Sequence, residues 1–325
     1  MTQATPARVG AATDRATASD VGDFYAQLKY PGPDALVTFV WANRLAQFLP
    51  PGPFRFLDAG CGSGRHSAGL LLRYPSASGV GIDISGPSLD EARALMAAKG
   101  LEGRIEFRQA DYCGSVPLQE QFDVALAVGT IHHTPDPAAS LRNIAAMLKP
   151  GGMLGAMIYG ARGHRRRYEI KEMLEMLGGA DAALKRRLYD SYLRHSQSWL
   201  DRTPRQTIKE LRSTLSRLRH RLSGRAGEVG YNPDPRRSMI FFLDAFASPI
   251  DRAIESPELE TMLAGAGLQL EHMFSLGRAD PSLLPDDWRP LWQRLEPWQR
   301  IRLSELVDPA PASFSFVARK RGGNP

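Results

Sequence analysis

Residues 55–64 read Arg-Phe-Leu-Asp-Ala-Gly-Cys-Gly-Ser-Gly. An apolar run ending at Leu57, short enough for a buried strand, passes through the carboxylate of Asp58 into Gly60, Gly62 and Gly64. Alternating glycines give the backbone both dihedral freedom and a bare surface for a closely approaching ligand. A helix starting near Arg65 would aim its unpaired amides at whatever lies over them. A dinucleotide fingerprint requires a further glycine at the sixth position counted from the first. Here that position is Arg65, and no Gly-Lys-Ser/Thr ending supports a phosphate loop.

Outward from this stretch the pattern alternates. Phe54 to Leu57 predicts a first strand, Arg65 to Arg73 a helix, Ala77 to Ile82 a second strand and Gly86 to Ala98 a second helix. Arg104 to Phe107 and Phe122 to Val128 predict the third and fourth strands. Pro137 to Leu148 predicts a helix stopped by Pro150-Gly151-Gly152, and Met153 to Tyr159 the fifth strand. Such alternation means a mostly parallel sheet covered on both faces. Helical patterns at 169–178, 180–197 and 205–223 and a loop-like 224–237 then interrupt it. The pattern resumes with a helix at Pro257 to Ala264 and strands at Leu268 to Phe274 and Ser313 to Ala318. The expected divisions are a disordered leader (1–20), an N-terminal helical lid (21–50), a core (51–160), a basic helical cap (161–250) and a C-terminal completion of the core (251–320). The last contains an insert at 275–311 carrying Trp288, Trp292 and Trp298, and 321–325 form a tail.

An open parallel sheet binds ligands beyond the carboxyl ends of its strands, so residues just after each strand carry the chemistry. Asp58 follows the first strand, where it can face a cationic ligand or simply fix its own turn. Asp83 ends the second strand 23 residues beyond Gly60, and a carboxylate about 20 residues past a glycine loop can take both hydroxyls of a ribose. Asp111 follows the third strand, with a helix-capping role as the alternative. The fourth strand opens through Val128-Gly129-Thr130-Ile131 into His132 and His133.

These ordered blocks over residues 54–159 resemble the small-molecule type of class I S-adenosylmethionine-dependent methyltransferases. The resemblance implies an α/β fold: a seven-stranded Rossmann-like, mostly parallel sheet with helices on both faces and an inserted helical cap. It implies S-adenosyl-L-methionine as methyl donor and S-adenosyl-L-homocysteine as product. In that reading Asp58 helps hold the methionine end and Gly60, Cys61, Gly62 and Gly64 form the loop beneath the donor. Asp83 and Ile84 take the ribose, Asp111 and Tyr112 the adenine, and Val128 and Thr130 complete the donor site. His132, His133 and Tyr159 are the catalytic candidates. Histidine accepts a proton near neutrality, although in such proteins these histidines also shape the donor pocket. No metal is expected, because adjacent histidines on an extended segment point apart.

The acceptor is less legible. Tyr25 and Tyr30 can close over the pocket. Arg162 and Arg165, just beyond Tyr159, suit a carboxylate or phosphate, and Tyr231, Arg237 and Asp244 stand where the cap returns. The overall charge of +6 is uneven: residues 161–240 hold 19 Lys or Arg against 9 Asp or Glu, a net of +10 that leaves the remainder at −4. Such a segment either attracts an acidic partner or is a wet helical surface. The expected partner is a small-molecule or peptide substrate, acidic if the arginines bind it. A nucleic-acid substrate ranks behind because no reading module accompanies the charge, and a noncatalytic donor-binding protein is the remaining alternative. A homodimer through the cap is also entertained. With 43% apolar and 23% charged residues, two cysteines, and no apolar run of signal-peptide or spanning character, the expected setting is cytoplasmic, without membrane or disulfide framework.

Overall fold

The computed structural model describes residues 16–28, 37–196, 239–274, 285–307 and 310–322. Its elements in chain order are α1 (Ala18–Leu28), α2 (Val40–Leu45), β1 (Arg55–Ala59), α3 (Arg65–Arg73), β2 (Ser78–Asp83), α4 (Gly86–Lys99), β3 (Ile105–Gln109) and β4 (Phe122–Val128). There follow α5 (Pro137–Ala146), β5 (Leu148–Tyr159), α6 (Arg165–Gly178), α7 (Ala182–Ser196), α8 (Met239–Ala247), α9 (Ser256–Gly265), β6 (Leu268–Met273), α10 (Arg289–Gln293), α11 (Pro297–Leu306) and β7 (Ser313–Lys320).

One seven-stranded sheet runs in the order β3-β2-β1-β4-β5-β7-β6. Strands β1 to β5 pair in parallel, whereas β7 is antiparallel to both β5 and β6. The order of connection reverses between β1 and β4, the place where an open sheet of this kind leaves a crevice beyond its strand ends. Burial on both faces follows from residue alternation along each strand. On β4, Ala125 and Ala127 join Leu141 and Ile144 of α5 and Leu259 of α9 in one apolar cluster. Val124 and Leu126 face the other way, into Leu70 and Leu71 of α3, Leu89 of α4 and Trp41 and Leu45 of α2. A third, smaller core joins Leu174, Tyr189, Phe242 and Phe246 from α6, α7 and α8.

Several sequence expectations shift at their edges. Strand β5 begins at Leu148, upstream of the Pro-Gly-Gly that was expected to separate it from α5. A register irregularity between Phe122 and Val124 absorbs this segment, with Gly151 at φ 74°. Helix α1 starts at Ala18, within the expected leader, where the Asp20 carboxylate accepts the Thr17 N–H at 2.6 Å. Residues 1–15, and the expected helix 205–223 and loop 224–237, lie outside the described residues. Trp288 and Trp292 border a small apolar hollow with Leu291, Leu295 and Leu303, away from the crevice, and Trp298 packs against the main core. Among the described residues no helix is long and apolar enough to cross a membrane.

Candidate active site

The turn after β1 is built on close approach. Gly60 has φ 72°, and a Cβ there would fall 2.1 Å from the Thr130 hydroxyl oxygen, so only glycine lets the β1 and β4 loops meet. Gly62, at φ 51°, has no atom within 4 Å of where its Cβ would stand. The bare side of Gly62 opens into a cavity of about 570 Å³ beyond the strand ends. The N–H groups of Gly60 and Cys61 donate to the Ile82 carbonyl at 2.8 and 3.0 Å, which ties the turn to β2.

Asp83 closes the same tie from its side chain. Its Oδ2 accepts the Gly62 N–H at 2.8 Å and its Oδ1 the Ser85 N–H at 2.9 Å. Burial raises the Asp83 carboxyl above the ordinary carboxylate value, and the donated backbone N–H groups oppose the rise. Asp58 does not line the cavity. It lies beneath the turn, 2% exposed, and accepts the Ser67 hydroxyl of α3 at 2.6 Å. Burial pushes its carboxyl up to about 6.

The cavity is bordered by Asp83, Ile84, Asp111, Tyr112 and Cys113. The Asp111 carboxylate accepts the Cys113 N–H at 2.7 Å, and the Tyr112 hydroxyl contacts that of Thr130. Val128, Gly129 and Thr130 border it too, so every donor-site candidate except Asp58 and Gly64 lines the cavity. Gly64 instead begins α3 and packs near Ala92 and Met96 of α4.

Arg44, Arg65 and His66 border the cavity beside the glycine turn, and sequence reasoning had passed over all three. Arg65 and His66 were legible as the first residues of the helix after the glycines. Arg44 was not, because it arrives through packing of α2 on α3, where Gly69 admits the Thr38 carbonyl with no room for a side chain. Burial and the two guanidinium groups push the His66 imidazole down to about 4, and its buried Nδ1 has no hydrogen-bond partner among the described residues. This is a cationic corner able to hold an anion.

Tyr25, His133, Tyr159 and Asp244 also border the cavity. Tyr25 donates its hydroxyl to Asp244 at 2.7 Å, which joins α1 to α8 across the cavity. His132 and His133 stand on a single 3-10 turn, Ile131–His133, rather than on an extended segment. Burial lowers both imidazoles below the ordinary histidine value, His132 well below it. The two residues otherwise differ. His133 borders the cavity and its Nδ1 lies 2.8 Å from the Ile250 carbonyl. A carbonyl only accepts, so Nδ1 carries the proton and Nε2 is left as the acceptor nitrogen. His132 is fully buried behind the wall, its ring 3.8 Å from that of Tyr159, with neither nitrogen hydrogen-bonded among the described residues. Burial, with Asp244 nearby, pushes the Tyr159 phenol up to about 12, so it stays protonated at neutrality.

The turn geometry overturns the argument that these histidines cannot converge, since ligand atoms of His132, His133 and Asp251 lie within 4.8 Å of one another. Asp251 nonetheless has its cation already. The Arg167 guanidinium contacts it, and the Tyr168 hydroxyl donates to its other oxygen at 2.9 Å.

The arginines expected to line the acceptor site do not reach it. Arg162 lies 3.7 Å from Glu255 and Arg165, largely exposed, 2.9 Å from Glu169. Tyr30, Tyr231 and Arg237 lie outside the described residues.

Residues 56–152 match the family model described as "Methyltransferase domain". An uncharacterized protein of Synechococcus sp. is 29% identical over 265 residues, 81% of this chain and 59% of that protein. A ubiquinone biosynthesis O-methyltransferase of Stutzerimonas stutzeri is 36% identical over 101 residues, 31% of this chain and 42% of that protein. The chain thus spans only about half the length of these curated relatives. Among solved structures, PKMT2 from Rickettsia typhi, in complex with AdoHcy, is similar with a TM-score of 0.66 at 15% identity, over 90% of this chain and 55% of that one. The cyclase SpnF is similar with a TM-score of 0.51 at 16% identity, over 95% and 98%. At such identities the likeness is one of fold, and chemistry must be argued from the site.

Proposed function

We propose that this chain, which has the class I S-adenosylmethionine-dependent methyltransferase fold, transfers a methyl group from S-adenosylmethionine to a hydroxyl-bearing small molecule. The observation that carries the reading is the single cavity running from the glycine turn and Asp83 to His133, Tyr159 and Asp244.

The donor set fits that cofactor. The open side of Gly62 gives a cradle that any Cβ would fill, and the spare lone pairs of Asp83 suit a ribose diol. Ile84, Asp111 and Tyr112 suit an adenine, and Arg44, Arg65 and His66 suit the carboxylate of the methionine end. Asp58 acts from below by holding α3 through Ser67. The bound donor supplies a methyl group that its sulfonium already makes electrophilic. The tasks left to the chain are to align an acceptor, take its proton and exclude water.

His133 is assigned the proton. Kept neutral by burial, and with Nδ1 committed to the Ile250 carbonyl, it offers Nε2 to an acceptor hydroxyl. Asp244, which favours the charged form of His133, would stabilise the imidazolium that results. Tyr159, protonated at neutrality, orients the acceptor as a hydrogen-bond donor. Tyr25, with Ala18 and Val21 of the same helix, covers the cavity against water. An acidic group on the acceptor is not required, because Arg162 and Arg165 are engaged with glutamates outside the cavity.

Incubation of the full chain with donor carrying a labelled methyl group, together with a small-molecule extract of its native cell, tests the reading. The expected product is a labelled methyl ether. Label found only on nitrogen, or on nothing, overturns it.

A further inference from the structure

Helix α6 directs two cations, the half-buried Arg167 and the buried Lys171, at one short stretch of chain, Ser248 to Arg252. They stand four residues apart and so share a helical face. Lys171 is 8% exposed and donates from Nζ to the Ser248 carbonyl at 3.0 Å. The Arg167 guanidinium contacts Asp251, whose other oxygen accepts the Tyr168 hydroxyl. Cations withdrawn from water at this depth are costly unless held in good geometry. This pair is absent from the cavity wall, and the transfer described above makes no use of it.

The other side of the same stretch grips the histidines. The Ile250 carbonyl takes His133 Nδ1 at 2.8 Å, and the Arg252 N–H donates to the His132 carbonyl at 2.9 Å. Ser248 Oγ, 3.4 Å from His133 Nδ1, donates to the Ile250 carbonyl at 2.9 Å and so fixes that acceptor. The tautomer and aim of His133 therefore depend on where residues 248–252 sit, and α6 sets that position.

We infer that Arg167 and Lys171 are positioning residues for the His133 imidazole, acting through the Ser248–Arg252 segment. The inference rests on the proposed role of His133 but can fail separately from it. The groups facing the imidazole are Tyr25 from α1, His132 from its own turn, Tyr159 from β5, Arg167 and Lys171 from α6 and Asp244 from α8. Arg167 and Lys171 favour the neutral ring, and Asp244 opposes them.

The test is titration of the full chain labelled with 15N in its histidines, which reads midpoint and tautomer directly, alongside kcat against pH and donor affinity. Lys171→Met removes both the charge and the hydrogen bond. It should move the His133 midpoint to higher pH, weaken the preference for the Nδ1–H tautomer and lower kcat about tenfold, a fraction of the roughly 10²- to 10⁴-fold a general base contributes, with donor Kd unchanged. Lys171→Gln keeps a donor for Ser248 and removes the charge, so it should move the midpoint and keep the tautomer. Lys171→Arg should restore wild-type behaviour. If Lys171→Met does not fold, the Gln variant still decides: an unmoved midpoint in folded Lys171→Gln overturns the proposal. A moved midpoint with an unmoved acid limb of kcat upholds the positioning role and removes His133 as the base.

Discussion

The carboxylate of Asp83 accepts the backbone N–H of Gly62 at 2.8 Å, so the acid at the end of β2 holds the ligand turn at the end of β1. The same side chain borders the cavity with lone pairs to spare. Asp83→Ala should weaken donor binding by about 10- to 100-fold, the range for hydrogen bonds to a charged group. Asp83→Asn, which keeps one acceptor oxygen, should fall between. Calorimetric titration with S-adenosylhomocysteine checks this, and unchanged affinity in the Ala variant would contradict the role.

Two alanine substitutions in the turn should fail differently. At Gly60 a Cβ would stand 2.1 Å from the Thr130 hydroxyl oxygen, so Gly60→Ala should separate the β1 and β4 loops and lower the Tm of the free protein. At Gly62 the space is open, leaving only the left-handed backbone conformation to resist a side chain, at about 1–2 kcal/mol. Gly62→Ala should fold nearly normally yet bind donor poorly, because the methyl group occupies the cradle. Equal losses of Tm in the two variants would count against this division.

Asp58 gives a signed pH dependence. Its ordinary carboxyl value is 3.8, and burial raises it to about 6 in the folded chain. The stability linked to this group is fully present below about pH 3.8 and is lost as pH rises through about 6. Over two pH units this amounts to roughly 3 kcal/mol at most. Asp58→Asn keeps an acceptor for Ser67 without a charge to bury. In the ligand-free protein its Tm should gain on wild type as pH rises from about 4 to about 6 and keep that gain above. Parallel curves would show that the buried carboxylate is not the cause.

The adjacent histidines should separate in function. His133→Gln should lower kcat about 10²- to 10⁴-fold with donor affinity kept, as for loss of a general base. The wild-type acid limb of kcat should lie below the ordinary histidine value of 6.5, because burial favours the neutral ring. His132 has no hydrogen-bond partner among the described residues, so His132→Leu should preserve far more turnover. The reverse ranking would exchange their roles.

Much of this was legible in the sequence, for reasons tied to distance along the chain. The glycine turn, Asp83 and the Phe122–Val128 strand are local patterns, and each stands where its spacing placed it. Sequence also singled out Tyr25, His133, Tyr159 and Asp244, but could not reveal that residues 25 and 244 share a hydrogen bond across the cavity. A run of arginines states charge without direction: Arg162, in the turn before α6, lies against Glu255, and Arg165, at the start of α6, against Glu169. The distinction between His132 and His133 was hidden as well. It depends on the Ile250 carbonyl, which arrives from more than a hundred residues away.

The cavity between Gly62 and His133 is proposed as a methyl-donor site. Isothermal titration of the full chain with S-adenosylmethionine and with S-adenosylhomocysteine tests it most directly. Both ligands should bind saturably and one-to-one, with binding lost in parallel in Asp83→Ala and Gly62→Ala. Absence of heat with either ligand in the folded wild-type chain would contradict it.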